Sequence, residues 1–118
     1  MSLTRESILE AKDLQTQSIQ VPEWGGEVLV KTMTGKERDA FEMEAYTVKG
    51  KSVEANRENF RARILLHTLA DAEGKRLFSA EDLEALGSKS GKVLDRLFGI
   101  AMKLNGLSQT DMEELTKN

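Results

Sequence analysis

The sequence has no cysteine and only one each of proline, tryptophan, tyrosine and histidine. Without cysteine, neither a disulfide framework nor thiol chemistry is open to it. With a single histidine there is no cluster for zinc, and a Ser-His-Asp arrangement would rest on His67 alone. That residue sits among leucines in "ARILLHTLA" and reads as structural. Aromatics make up 5% of the chain, so the core is expected to be built from Leu, Val, Ile and Ala. No apolar run approaches the roughly 18 residues of a membrane span. The opening "MSLTRESILEAKD" intersperses charges where a signal peptide needs an apolar stretch. Basic excess is also missing: the net charge is −3, which argues against the counterion-releasing contacts of nucleic-acid binding. These absences lead us to expect a soluble, cytoplasmic protein with no membrane and no nucleic-acid partner.

What is present is charge and helical periodicity. The 118 residues suit one domain, 1–118, and bury enough surface for one core without staples. "SLTRESILEAKD" predicts a short helix capped by Thr4, with Leu3 and Ile8 at the spacing of a hydrophobic staple. In "TQSIQVPEWGGEVLVKTMT", two strand-like halves flank a reversal. Pro22 belongs at a strand end or edge. Gly25 and Gly26 both permit positive φ, so the chain can turn there into a hairpin at about 17–33. "TGKE" at 34–37 is a capping box, and Phe41, Ala45 and Val48 continue an apolar stripe that predicts a helix up to Gly50. "KGKSVEANRE" is the stretch expected to be most mobile. A central, buried helix is expected from about Arg57 to Ala70. Ser79 caps a helix that Gly87 terminates, with Phe78 and Leu83 as staple. Val93, Leu94, Leu97, Phe98, Ala101 and Leu104 define the next helix, closed by Gly106, and Ser108 caps a last one with Leu107 and Met112 as staple. The expected fold is α+β and mostly helical: five to six helices with one N-terminal hairpin. Phe60, Leu65, Leu69, Leu94, Leu97 and Phe98 should fill the space between the two longest helices. Since a lone two-stranded hairpin is marginal in water, a helix must cover it or another strand extend it, from this chain or another subunit.

Motifs that carry chemistry fail on inspection. "GKS" at 50–52 lacks the upstream glycine of a phosphate loop, and "GSKSGKV" at 87–93 has Val93 where the metal-binding hydroxyl belongs. "DAEG" at 71–74 lacks both terminal acids of a calcium loop. Acidic pairs such as Glu81 and Asp82 suit first helical turns, where they complement the dipole. Lys49, Lys51, Arg57, Arg61 and Arg63 alternate with Glu54 and Glu58, as a solvated face does by default, with an acidic partner segment as the lesser reading. No catalytic residue, cofactor or metal ligand is assigned.

Two stretches go further. "VPEWGGEVLVKTMTGKERDAFE", residues 21–42, resembles the signature of the tail assembly chaperones of long-tailed phages and related prophages. "GKRLFSAEDLEALGSKSGKVLDRLFGIAMKLNGL" resembles the second half of the same family, including its Leu-Asn-Gly-Leu break. The resemblance implies a non-catalytic assembly factor that binds the tape measure protein and keeps it soluble while tube subunits polymerise. It also implies homo-oligomers, contact with the tail tube protein through a frameshifted extension, residence in the cytoplasm of the bacterial host, and absence from the mature virion. Within it, Pro22, Trp24, Gly25 and Gly26 are the candidate residues for partner binding or self-association, with Trp24 either an interface anchor or a lid over the core. The competing readings are a head–tail joining or other morphogenesis protein retained in the virion, and a small regulatory binding protein.

Overall fold

The computed structural model describes residues 2–107, apart from the side chains of residues 47–49 and 55. The chain is α+β. A helix α1 (Arg5–Glu10) precedes an antiparallel hairpin of β1 (Thr16–Val21) and β2 (Gly26–Lys31). The register runs from Thr16 opposite Lys31 to Val21 opposite Gly26. Helix α2 (Gly35–Glu44) follows, then strands β3 (Tyr46–Lys49) and β4 (Ser52–Ala55). Helix α3 (Phe60–Thr68) runs directly into β5 (Leu69–Ala70), and α4 (Leu83–Gly87) and α5 (Gly91–Leu104) complete the described chain.

The third strand that the hairpin needs comes from the same chain. β5 pairs antiparallel with β2, placing Leu29 opposite Ala70 and Val30 opposite Leu69, so β2 becomes the central strand. The helix expected to reach Ala70 therefore ends at Thr68, where Leu69 turns to an extended conformation. Thr68 eases that exit: its hydroxyl donates to the Ile64 carbonyl at 2.9 Å.

One expectation for residues 45–50 is corrected. The α2 stripe does not continue to Gly50, because the helix stops at Glu44 and the chain becomes a second hairpin, β3–β4. Tyr46 and Thr47 favour extended backbone, and Gly50 makes the turn at φ +62°. The returning strand satisfies the helix end: the Asn56 amide donates to the Ala45 carbonyl at 2.7 Å, and its side chain donates to the Glu44 carbonyl at 3.2 Å. The stretch 49–58 thus includes β4 and the turn of this second hairpin.

α3 is the central helix, with Ala62 and every residue from Ile64 to Thr68 buried. Its leucines share one core with Leu94, Leu97 and Ala101 of α5, Phe41 of α2, and Val21 and Val30 of the sheet. Leu65, Leu69, Leu94 and Leu97 are buried as expected, while Phe60 and Phe98 pack edge-on at 5.9 Å along the core's margin. The Thr4 and Thr34 caps form as expected. Ser79 instead pairs with Asp82 across a 3-10 turn, Ala80–Asp82, that precedes α4, and Ser90 caps α5. Leu3 and Ile8 nevertheless stay exposed, so α1 buries no residue. Gly87 is the last residue of α4, and it is glycine for a reason other than backbone freedom. It has no positive φ, but a Cβ there would stand 2.5 Å from Asn59 Oδ1. The helix expected after Ser108 lies outside the described residues.

Candidate partner-binding site at the hairpin tip

The hairpin tip is a single turn of 3-10 helix, Pro22–Trp24. Pro22 follows the end of β1, at the first helical position, where its missing N–H costs nothing. Gly25 takes φ +81°, a left-handed conformation that its own amide helps fix by donating to the Pro22 carbonyl at 3.0 Å. Gly26 needs no such freedom: it opens β2, and a Cβ there would meet nothing within 4 Å. Of the two glycines, only Gly25 serves the reversal.

The tip is fastened to α5 from outside. Glu23 receives a bidentate pair from Arg96, at 2.8 and 3.0 Å. Hydrogen bonds from the Arg96 guanidinium and then from its own backbone amide, with a smaller contribution from the Lys92 charge, pull the Glu23 carboxyl down to about 2. Beside it, Trp24 is 38% exposed. Its ring borders a cleft of about 160 Å³ walled by Phe78, Ala85 and Leu86, with Asp82 and Lys89 alongside. Trp24 thus neither closes the core nor stands free in solvent. It forms one wall of an open, mostly apolar notch.

The other end of β2 is held by a denser cluster. Lys31 is buried and donates to both oxygens of Glu37, at 2.7 and 2.9 Å. Glu37 also closes the α2 capping box, accepting from the Thr34 amide at 3.0 Å. Burial alone would raise its pKa, but the hydrogen bonds from Lys31 and Thr34 outweigh that and hold it below the usual carboxylate value. Asn105, at the C-cap of α5, completes the cluster. Its Oδ1 accepts from the Met33 amide at 2.7 Å, while its Nδ2 donates to the carbonyls of Ala101 at 2.8 Å and Lys31 at 3.3 Å.

The sequence placed Pro22, Trp24, Gly25 and Gly26 together at the tip, and the structure does so. It did not disclose Glu23–Arg96, the cleft walls, or the Asn105 clamp, all contacts between residues far apart in sequence. His67 is buried, with Nε2 3.1 Å from Glu44 Oε2 and its ring edge-on to Phe41. Among the described residues, its Nδ1 is without a partner. Also among the described residues, no group of three or more His, Asp or Glu could hold a metal ion, and no helix is long and apolar enough to cross a membrane.

A family model for the phage tail assembly chaperone matches residues 4–118. The chain belongs to the phage tail assembly chaperone family. The tail assembly chaperone of bacteriophage HK97 has a similar structure, with a TM-score of 0.60 and 21% sequence identity. The match covers 88% of this chain and 95% of that one, and at this identity it establishes a shared fold. No curated protein matches the sequence. Membership of this family points to a non-enzymatic role. The two stretches that carry the family resemblance face one another in this chaperone: Glu23, Lys31 and Met33 come from the first, Arg96 and Asn105 from the second.

Proposed function

We propose that this chaperone binds the tape measure protein and keeps it soluble while tail tube subunits assemble around it, through apolar contacts and without nucleotide hydrolysis. Membership of the family over residues 4–118 carries this reading. The half-exposed Trp24 beside an apolar notch supports it, since aromatic anchors next to pockets dominate binding energy at interfaces. A tape measure protein offers long apolar helical faces, which suit a helix-in-groove contact. In the same reading the protein acts as a homo-oligomer in the cytoplasm of the bacterial host and is absent from the mature virion. A frameshifted extension recruits the tail tube protein.

Co-expression with the phage's own tape measure protein is the test. The client should be soluble and co-purify only when this chain is present. Binding should show a negative heat-capacity change and weak salt dependence. Equal client solubility with and without this chain, and no co-purification, overturns the reading. Detection of this chain by mass spectrometry in purified virions shifts the assignment to a retained morphogenesis protein.

A further inference from the structure

The two edges of the three-stranded sheet are unequal. On one side β5 is only two residues long. Beyond it the chain covers that edge, with the Leu77 amide donating to the Leu69 carbonyl at 3.1 Å and the Asp71 amide to the Lys75 carbonyl at 2.8 Å. On the other side β1 presents six residues, Thr16–Val21, in unbroken register with β2. Sheet edges are ordinarily blunted by shortness, cover, charge, proline or a bulge. β5 has the first two defences, and β1 has none of the five. Its Thr16, Gln17, Ser18 and Gln20 are exposed.

The register fixes which backbone groups this edge offers. The Thr32 amide donates to the Gln15 carbonyl at 2.9 Å, so Gln15 and Thr32 form a hydrogen-bonded pair. Such pairs alternate along an antiparallel ladder, which makes Gln17, Ile19 and Val21 the residues bonded to β2. Thr16, Ser18 and Gln20 therefore aim both N–H and C=O away from the sheet, at intervals of roughly 7 Å. An added strand is the partner that repeats donors and acceptors at that spacing.

Two side-chain features state what kind of strand. On the core face, Ile19 is half-buried opposite Val28, so an apolar side chain on its open flank would extend the core. On the other face, the Glu27 carboxylate leans over β1, accepting from Ser18 Oγ and Gln20 Nε2, each at 2.9 Å. Both donors are neutral, and among the described residues Glu27 forms no ion pair. Asp71 lines the same side, across a cleft of about 330 Å³ bordered by Leu29 and Leu77. A strand added to β1 would lie about 4.8 Å from it, which brings Glu27 within reach of a lysine or arginine on that face.

The fitting occupant is an extended segment in which apolar residues alternate with basic ones. The chain's own candidates do not match it. A second copy of β1, Thr-Gln-Ser-Ile-Gln-Val, brings no cation to Glu27. Residues 108–118 set Asp111, Glu113 and Glu114 against Lys117. Residues 5–10 spend their backbone bonds in α1. We propose that β1 is a docking edge for an extended, alternately basic and apolar segment of another protein, which joins the sheet antiparallel as its fourth strand. This surface is separate from the Trp24 notch and holds its partner by backbone pairing instead of by a helical face.

Amide hydrogen exchange read by NMR on the full chain tests this. The probe is a capped hexapeptide of alternating valine and lysine, compared with one carrying glutamate for lysine and one N-methylated throughout. The lysine peptide should slow exchange at the amides of Thr16, Ser18 and Gln20 and leave those of Gln17 and Ile19 unchanged. The glutamate peptide should bind about tenfold more weakly, because it sets like charges beside Glu27. The N-methylated peptide cannot donate and should not bind. Glu27→Lys should reverse the charge preference. Ser18→Pro removes an outward amide at an edge position where proline is tolerated, and should abolish binding. Circular dichroism verifies that both variants fold. If Ser18→Pro does not, Glu27→Lys and the N-methylated peptide decide. Protection of the three amides in the parent alone would show that a second copy or the chain itself fills the edge, and overturns the proposal. So does a lysine peptide that leaves them unchanged, or one that binds no better than its glutamate counterpart. Client solubility in co-expression is read separately, so its loss beside intact edge binding overturns the chaperone reading alone.

Discussion

The side chain of Asn105 accepts a hydrogen bond from the backbone amide of Met33 at 2.7 Å, across a sequence separation of 72 residues. With the two carbonyls it also serves, one side chain ends α5 and fixes the link between β2 and α2.

Asn105→Ala should therefore destabilise the fold by about 1–3 kcal/mol, the cost of leaving a buried donor unpaired. Urea denaturation should show a lower midpoint with an unchanged slope. A loss below about 0.5 kcal/mol would mean that water replaces the side chain at this position.

The α3–α5 contact predicts a sharper contrast. Leu97 is fully buried, and Leu97→Ala should cost about 2–5 kcal/mol. Met43, exposed on α2, should tolerate Met43→Ala within about 0.5 kcal/mol. Equal effects in denaturant melts would contradict the described packing.

The tip glycines should also separate. Gly25→Ala places a side chain in the left-handed region and should cost about 1–2 kcal/mol. Gly26→Ala meets no atom within 4 Å and should be nearly neutral. Thermal melts of the two single variants decide the matter.

Acid should unfold this protein partly through its paired carboxylates. Glu23 falls from an ordinary 4.5 to about 2 in the folded state, and Glu37 is also lowered. The unfolded chain thus takes up protons that the folded chain refuses. The stability these groups contribute is complete above about pH 4.5 and declines as pH falls towards 2. Glu23→Gln should flatten that decline in a pH series of urea melts, and an unchanged slope would show that the Arg96 pair does not persist in solution.

Local signals in the sequence were read correctly where the physics is local. Thr34 and Glu37 lie three apart because a capping box spans one turn, and the α5 stripe repeats because one face meets α3. The end of α2 was missed because Phe41, Ala45 and Val48 keep helical spacing past the point where the backbone leaves the helix. The counter-signal was present in Tyr46, Thr47, Gly50 and Ser52, a strand, turn and strand that the stripe obscured. β5 could not be read at all: two residues, Leu69 and Ala70, are a strand only because β2 lies beside them. Trp24 was located at the tip, but Phe78, Ala85 and Leu86 arrive beside it through the packing of α4. No nearest-neighbour pattern encodes that arrival.

The position of β5 sets a timetable for synthesis. The hairpin of residues 16–31 leaves the ribosome first, yet its central strand acquires its second neighbour only after Leu69 and Ala70 have emerged. Arg96 and Asn105, which fasten the two ends of β2, come later still. Loop closure over such separations is slow, because its entropy is lost before the distant contacts form. Until those residues have been made, the nascent hairpin therefore carries an unfinished sheet and a Trp24 without the other walls of its cleft.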